Sequence, residues 1–262
     1  MAHDKNSFIT GENLGDEEKL FVSRTADMTR ICEKTYSPRF SAFLTEGEAV
    51  LAEKYLRWEG FENYMLWGGF EGAQRKMLGV FPEYSEAQRE DFPLAVLRFS
   101  WRECDSLSHR DFLGFLMSVG VTRNQIGDIV CSEGRAYAVL TPQAAEQAVF
   151  LEKIGRVGVK CAYADESDKI ERNDKFSEIS ATVPSLRLDC IVGAAVRLSR
   201  EKSAALIRSG AVSVNHGTAE SVSDTLCEGD VLSVRGHGRY ILGSVGDRTK
   251  KDRIHIVVKK YI

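Results

Sequence analysis

The chain lacks any run of about 18 apolar residues, so no membrane-spanning helix is expected. Its opening residues, Met1-Ala2-His3-Asp4-Lys5, lack the apolar stretch of a secretory signal, which makes the cytoplasm the expected compartment. Cysteine pairs are also missing. Cys32, Cys104, Cys131, Cys161, Cys190 and Cys227 lie far apart with no Cys-x-x-Cys spacing. That argues against a disulfide framework and against a zinc site, and for reduced thiols packed in apolar surroundings such as Ile129-Val130-Cys131. No His-Glu-x-x-His, Gly-x-Ser-x-Gly or Walker pattern occurs, nor any internal repeat or low-complexity tract. No cofactor and no metal are expected.

What is present is an ordinary globular composition, 43% hydrophobic and 28% charged over 262 residues, enough for two or three small domains. The net charge of −3 is unevenly divided. Lys and Arg outnumber Asp and Glu by 13 to 8 in residues 184–262 and are outnumbered 22 to 30 before them. Such asymmetry assigns the polyanion-facing surface to the C-terminal part.

Hydrophobic spacing and turn residues predict an α+β fold with three domains, 1–84, 85–183 and 184–262. The first dozen residues are polar and read as frayed. Leu20, Phe21, Met28 and Ile31 share a face of a helix over Glu17–Cys32. Thr45-Glu46-Gly47-Glu48 is a capping box opening a second helix, and Phe61–Trp67 and Lys76–Phe81 read as strands. Between Leu94 and Cys161 the order is strand, helix, strand, strand, helix, strand, that of a ferredoxin-like or RRM-like domain. Its first helix opens at Ser108 with Phe112, Phe115, Leu116 and Val119 on one face, its second at Thr141-Pro142. Val157–Cys161 is its expected last strand, residues 165–175 an exposed linker, and Glu178–Val183 one further strand.

The richest stretch is 185–240. Ser185-Leu186-Arg187-Leu188-Asp189 opens a helix with Leu188, Ile191, Val192 and Ala195 on its apolar face, Ser185 being the candidate cap. Ser199 caps a second helix with Ala204, Ala205 and Ile207 inward, which Gly210 stops. Arg187, Arg200, Lys202 and Arg208 gather around the helix starts, where orphan N–H groups and the dipole already favour phosphate. A strand pair and a Gly-rich basic turn, Arg235-Gly236-His237-Gly238-Arg239, follow. This ordered series resembles the RNA-binding domain named after small-subunit ribosomal protein S-four. Two further stretches, Leu107-Ser108-His109-Arg110-Asp111-Phe112-Leu113-Gly114 with Ile126-Gly127-Asp128-Ile129-Val130, and Lys153-Ile154-Gly155-Arg156-Val157-Gly158-Val159-Lys160, extend the resemblance. Over residues 15–262 the chain resembles the YlmH family of bacterial RNA-binding proteins.

That resemblance implies an S-four-type C-terminal domain in a cytosolic non-enzyme that binds structured RNA, meaning rRNA and tRNA on the large ribosomal subunit, in rescue of stalled translation. It implies no DNA or membrane partner. It carries RNA contact onto Arg187, Ser199, Arg200, Lys202, Ser203, Arg208, Asn215, Arg235, His237, Gly238 and Arg239. At Asn215-His216-Gly217 the sequence departs from the Asn-Gly that the pattern prefers, so a different turn is expected.

Other chemistry competes weakly. His109-Arg110-Asp111 has the lettering of a kinase catalytic loop, but Leu116 stands where that loop needs Asn, and a Ser108 helix cap explains it better. Arg187-Leu188-Asp189 has the lettering of a pseudouridine synthase nucleophile without a synthase body after it; pairing of Asp189 with a neighbouring arginine is the simpler expectation. Strand 135–140 offers one aromatic where an RRM stacks two, so a scaffold role is favoured for the middle domain. Lys250-Lys251-Asp252-Arg253 and Lys259-Lys260 flank a strand and fit a protected edge as well as phosphate contact. The rivals to an RNA binder are an RNA-modifying enzyme and a protein adaptor linked to cell division.

Overall fold

The computed structural model describes residues 5–261 apart from 13, 166, 167, 171, 173–175, 216, 220 and 250. The chain is a mixed α+β protein of two compact units, Met1–Arg172 and Asn173–Ile262.

The first unit opens with helix α1 (Lys5–Gly11), where the sequence suggested fraying. Its anchor is distant in sequence: Phe8 is buried with its ring 5.3 Å from Tyr55 and 5.4 Å from Trp58. Helix α2 (Asp16–Thr35) begins with three acidic residues, matched to the positive end of its dipole, and stops at Tyr36 in the left-handed region at φ 50°. Strand β1 (Arg39–Leu44) leads to α3 (Glu46–Glu59). Its expected capping box forms: the Glu48 carboxylate accepts from the Thr45 N–H at 2.7 Å, and Thr45 Oγ1 accepts from the Glu48 N–H at 3.3 Å. Strands β2 (Tyr64–Trp67) and β3 (Lys76–Val80) complete an antiparallel sheet in the order β1-β3-β2. Val22, Cys32, Leu44, Ala52, Tyr55, Leu56 and Val80 fill the space between this sheet and the helices.

A second sheet follows within the same unit. It is built from β4 (Ala95–Ser100), β5 (Ile126–Ser132) and β6 (Arg135–Leu140), with α4 (His109–Ser118) and α5 (Pro142–Ala148) in the connections. The expected last strand divides in two. Residues Val157–Gly158 (β8) pair with Lys153–Ile154 (β7) in a small hairpin, and Lys160–Tyr163 (β9) joins the sheet beside β4. The antiparallel order is β5-β6-β4-β9. Helices α4 and α5 cover one face through Phe112, Leu116, Ala144 and Ala148. The other face contributes Val139 and Val130 to a core shared with Phe43, Phe70, Met77, Phe81 and Phe92, so the expected boundary at residue 84 lies inside one compact unit. The two sheets approach closely at Gly127, where a Cβ would sit 2.6 Å from the Phe43 ring. Segment 165–175 is also more than a linker: the Asp168 carboxylate accepts from Arg98 Nη1 and from the Tyr137 hydroxyl at 2.8 Å, and Ile170 packs on the shared core.

The second unit is a six-stranded antiparallel sheet with two helices on one face. Strand β10 (Phe176–Val183) belongs here, not to the preceding domain, because it pairs without a break along β15 (Ile254–Tyr261). The boundary therefore falls near residue 173 rather than 184. Helices α6 (Leu188–Val196) and α7 (Arg200–Arg208) precede β11 (Val212–Val214), β12 (Gly217–Thr218), β13 (Val231–Val234) and β14 (Gly238–Arg248). The order is β10-β15-β14-β13-β11-β12, which makes β15 an interior strand and removes the protected edge, one of the two readings of its flanking lysines. Its period-two pattern explains why: Ile254, Ile256 and Val258 are buried under the helices while His255 is exposed. Leu188, Ile191, Val192, Ala195 and Ile207 form the helical side of this core as the sequence predicts, whereas Ala205 is exposed.

Candidate nucleic-acid interface

At the start of α6 the chain turns on Arg187, which is the helix N-cap in place of the expected Ser185. One residue into the helix, Asp189 is buried, 4% exposed at its side chain. Its carboxylate accepts from Arg187 Nε and Nη2 at 3.2 and 3.1 Å and from Arg200 Nε at 2.9 Å. Burial alone would raise this carboxyl; the hydrogen bonds from Arg187, Arg200 and Cys190 outweigh it and hold Asp189 well below the usual carboxylate range. The Arg187 and Arg200 side chains remain 34% and 61% exposed, so one buried carboxylate fixes two guanidinium groups at the protein surface. This is the pairing the sequence suggested for Asp189.

Arg200 is also the first residue of α7, so the same cluster marks the start of the second helix. Ser199 caps it, its hydroxyl accepting from the Lys202 N–H at 3.4 Å. The connection is tight because Arg197 adopts the left-handed region and Gly193 lets the helices close up: a Cβ there would lie 3.1 Å from both Leu198 O and Ser203 Oγ. Ser203 is fully buried and donates to the Ser199 carbonyl at 3.0 Å. It positions the helix start and cannot itself reach a ligand, which corrects its assignment as a contact. Lys202 and Arg208 are exposed on α7.

The strand end supplies the other candidates. Between β13 and β14 the turn runs through Gly236 at φ 81° and Gly238 at φ 111°, conformations that side chains resist. The His237 N–H donates to Val234 O at 2.9 Å and its carbonyl accepts from the Tyr240 hydroxyl at 2.9 Å, leaving the imidazole exposed. Arg235 is exposed, and Arg239 is half-buried with its guanidinium 5.2 Å from the centre of the Tyr261 ring. Arg235, Gly238 and Arg239, with Gly210, Ser213 and Ser233, line an open groove of about 590 Å³. Asn215 is exposed and also has a structural part. At φ 46° its side chain donates to Asp230 at 2.8 Å and accepts from the Val231 N–H at 2.9 Å. It locks the turn, with both ends of its amide engaged; His216 lies outside the described residues.

A second cationic group, invisible in the sequence, lies in the first unit. His109, at the start of α4, lines a small cleft of about 220 Å³ with Arg75, Arg123, Asp128 and Arg172. Burial and then the neighbouring Arg123 lower the His109 pKa, against the pull of Asp128. These residues are too scattered for any spacing rule to gather them. Tyr137, the lone aromatic of β6, is buried and bonded to Asp168, so it is not an open stacking platform. Among the described residues, no helix is long and apolar enough to cross a membrane, and no three His, Cys, Asp or Glu side chains are placed to hold a metal. The cysteines are free, Cys104 and Cys227 exposed and Cys32 and Cys190 buried.

Fold and site together define a mixed α+β protein with a carboxylate-organised arginine cluster at converging helix starts. Among known proteins, the family match whose description names RNA falls in the first unit, not at this cluster. Residues 87–168 match the family described as "Putative RNA-binding domain in YlmH". "Ribosome-associated protein quality control protein P2" of Bacillus subtilis (strain 168) is 32% identical over 248 residues, covering 93% of this chain and 95% of that protein. The solved structure of "Cell division protein ylmH from Streptococcus pneumoniae" aligns at a TM-score of 0.53 and 20% identity, over 60% of this chain and 97% of that one, a likeness of fold. The chain belongs to the YlmH family.

Proposed function

We propose that this protein is a non-catalytic binder of structured RNA that acts in the cytoplasm on the large ribosomal subunit, in rescue of stalled translation. The observation that carries the reading is the Asp189 cluster, which holds Arg187 and Arg200 at two helix starts in the cationic part of the chain. Guanidinium groups held beside helix N-termini are suited to phosphate, and a contact set of this kind reads backbone shape rather than base sequence. In this reading the helix pair and the Arg235–Arg239 turn form the S-four-type surface, and the ferredoxin-like β5-β6-β4-β9 sheet, inside the residues 87–168 that match a putative RNA-binding domain, adds a second and weaker contact. The quality-control name of the Bacillus subtilis relative supports a ribosomal setting. The rRNA and tRNA elements bound are part of the proposal.

The test is pelleting with purified large subunits, comparing the full chain with residues 173–262 and 1–172 at two salt concentrations. We expect 173–262 to retain most of the affinity in a strongly salt-dependent manner, and 1–172 to pellet weakly. Pelleting of 1–172 as strong as that of the full chain would place the binding surface in the wrong unit. Incubation with rRNA and tRNA should leave their nucleoside composition unchanged, and a new modification dependent on this protein would overturn the non-catalytic reading.

A further inference from the structure

In the first unit, away from any residue discussed as an RNA contact, lies an open cleft of about 710 Å³. Two helices end on it: α2 at Tyr36 and α3 at Gly60, both in the left-handed region. Each therefore brings the negative end of its dipole to the same cleft. Tyr36 and Tyr84, 69% and 72% exposed, stand as one wall with ring centres 6.4 Å apart and planes 29° from parallel.

The wall is built rather than incidental. The Tyr84 hydroxyl donates to the Tyr36 carbonyl. Asn63 Nδ2 donates to the carbonyls of Pro82 and Ser85, at 2.7 Å each, and fixes the loop that carries Tyr84. Phe61 contributes to the apolar lining. Three exposed carboxylates, Glu33, Glu62 and Glu83, line the cleft, and none of its lining residues is a lysine or arginine. Aromatic faces, carboxylates and two helix C-termini all favour a cation and all oppose a phosphate chain.

We propose that this cleft docks an extended peptide segment bearing arginine or lysine, supplied by a strongly basic partner protein. A guanidinium or ammonium would lie against the tyrosine faces with the carboxylates around it, and the open shape admits a chain passing through rather than a small enclosed ligand. The inference does not depend on the RNA reading, because it uses a different surface and the opposite sign of charge.

The experiment uses the full chain and a fluorescein-labelled peptide of alternating arginine and glycine, followed by fluorescence anisotropy at low and high salt. A glutamate–glycine peptide is the control. We expect saturable binding of the arginine peptide that weakens with salt, and none of the control. Tyr36→Ala with Tyr84→Ala should weaken binding by about tenfold, the scale of two partly solvated cation–π contacts. Tyr36→Phe with Tyr84→Phe, which keeps the rings, should retain it. Glu33→Gln, Glu62→Gln and Glu83→Gln together should abolish it. Asp16→Asn, Glu17→Gln and Glu18→Gln, equally exposed acids at the other end of α2, should leave it unchanged. The proposal fails if no peptide binds, if the two triple variants behave alike, or if a uridine oligonucleotide displaces the peptide. Loss of large-subunit pelleting by the wild type, with peptide binding intact, would count against the proposed function alone.

Discussion

Two buried aspartates, Asp128 in the first unit and Asp189 in the second, are each paired with arginine, yet they put the guanidinium groups to opposite uses. Asp128 accepts from the backbone N–H groups of Gln74 and Arg75 at 2.7 and 3.1 Å and from Arg172 at 3.2 Å. The Arg75 guanidinium beside it is turned onto the carbonyls of Ile126, Phe43 and Arg123 at 2.9, 3.0 and 3.3 Å. There the charge ties two sheets together and is consumed inward. Asp189 draws on the side chains of Arg187 and Arg200, both still partly in water, so its charge orients cations outward. A cationic cluster is a candidate interface when its donors are held but not used up.

The largest expected effects break that contrast directly. Asp189→Ala and Asp128→Ala should each destabilise the fold by about 3 kcal/mol, since each leaves partners built for a buried carboxylate without it. Only Asp189→Ala should also lower RNA affinity, because only there do the released arginines face solvent. Urea unfolding with RNA titration of the same two variants checks this. Equal loss of RNA affinity in both would show that the distinction between inward and outward clusters is empty.

Next in size is the direct test of the outward cations. Arg200→Ala or Arg208→Ala should weaken RNA binding by about 1–3 kcal/mol, the range of charge-assisted hydrogen bonds, and the double variant should flatten the salt dependence. Arg172→Ala should leave RNA affinity within about 0.5 kcal/mol while lowering stability. Affinity of the double variant equal to wild type would remove α7 from the interface.

How much of this was legible beforehand follows the same line between local and distant information. The α6–α7 pair was readable because its signals are consecutive: the apolar spacing of Leu188, Ile191 and Val192, the Ser199 cap and the stop at Gly210. Asp189 pairing was foreseeable because Arg187 lies two residues away. Helix α1 was not, because its stability comes from Phe8 packing on residues far along the chain. Nor was the interior position of β15, since flanking lysines look alike at an edge and at the rim of an interior strand, and only pairing with β10 and β14 decides. The burial of Ser203 was missed for the same reason, and so were the bonds Asn215 makes at its turn, since a residue pattern does not display the neighbours that engage them. The Arg75–Arg123–Arg172 group and the Tyr36–Tyr84 cleft gather residues from separated segments and left no spacing to read.

Acid provides a smaller and more specific handle. The Asp189 carboxyl is held below its ordinary value, so the stability it contributes is fully present above the unfolded-state value of about 3.9. That contribution drains as pH falls through this value toward the lower folded one. Asp189→Asn should therefore be less stable than wild type at pH 7 by about 1–2 kcal/mol, and the gap should narrow steadily below about pH 4. A gap that stays constant down to about pH 2 would mean that shape rather than charge holds the cluster.

The smallest effect is the most discriminating, because stability and binding should move in opposite directions. Ser199 caps α7 through one long hydrogen bond to the Lys202 N–H, a weaker arrangement than the reciprocal pair at Thr45 and Glu48. In Ser199→Asp a carboxylate at the same position would accept from the helix N–H groups and meet the positive end of the dipole, adding about 0.5 kcal/mol to stability. The same charge would stand beside Arg200, where the proposed phosphate sits, and should weaken RNA binding several-fold, most visibly at low salt. Ser199→Ala should instead lose about 1 kcal/mol of stability, and its loss of affinity should be smaller than that of Ser199→Asp because no opposing charge is added. Thermal unfolding and RNA titration of the two variants form a crossed pair. If Ser199→Asp gains stability and binds as well as wild type, the start of α7 is a structural cap alone and the phosphate must be sought at the Arg235–Arg239 turn.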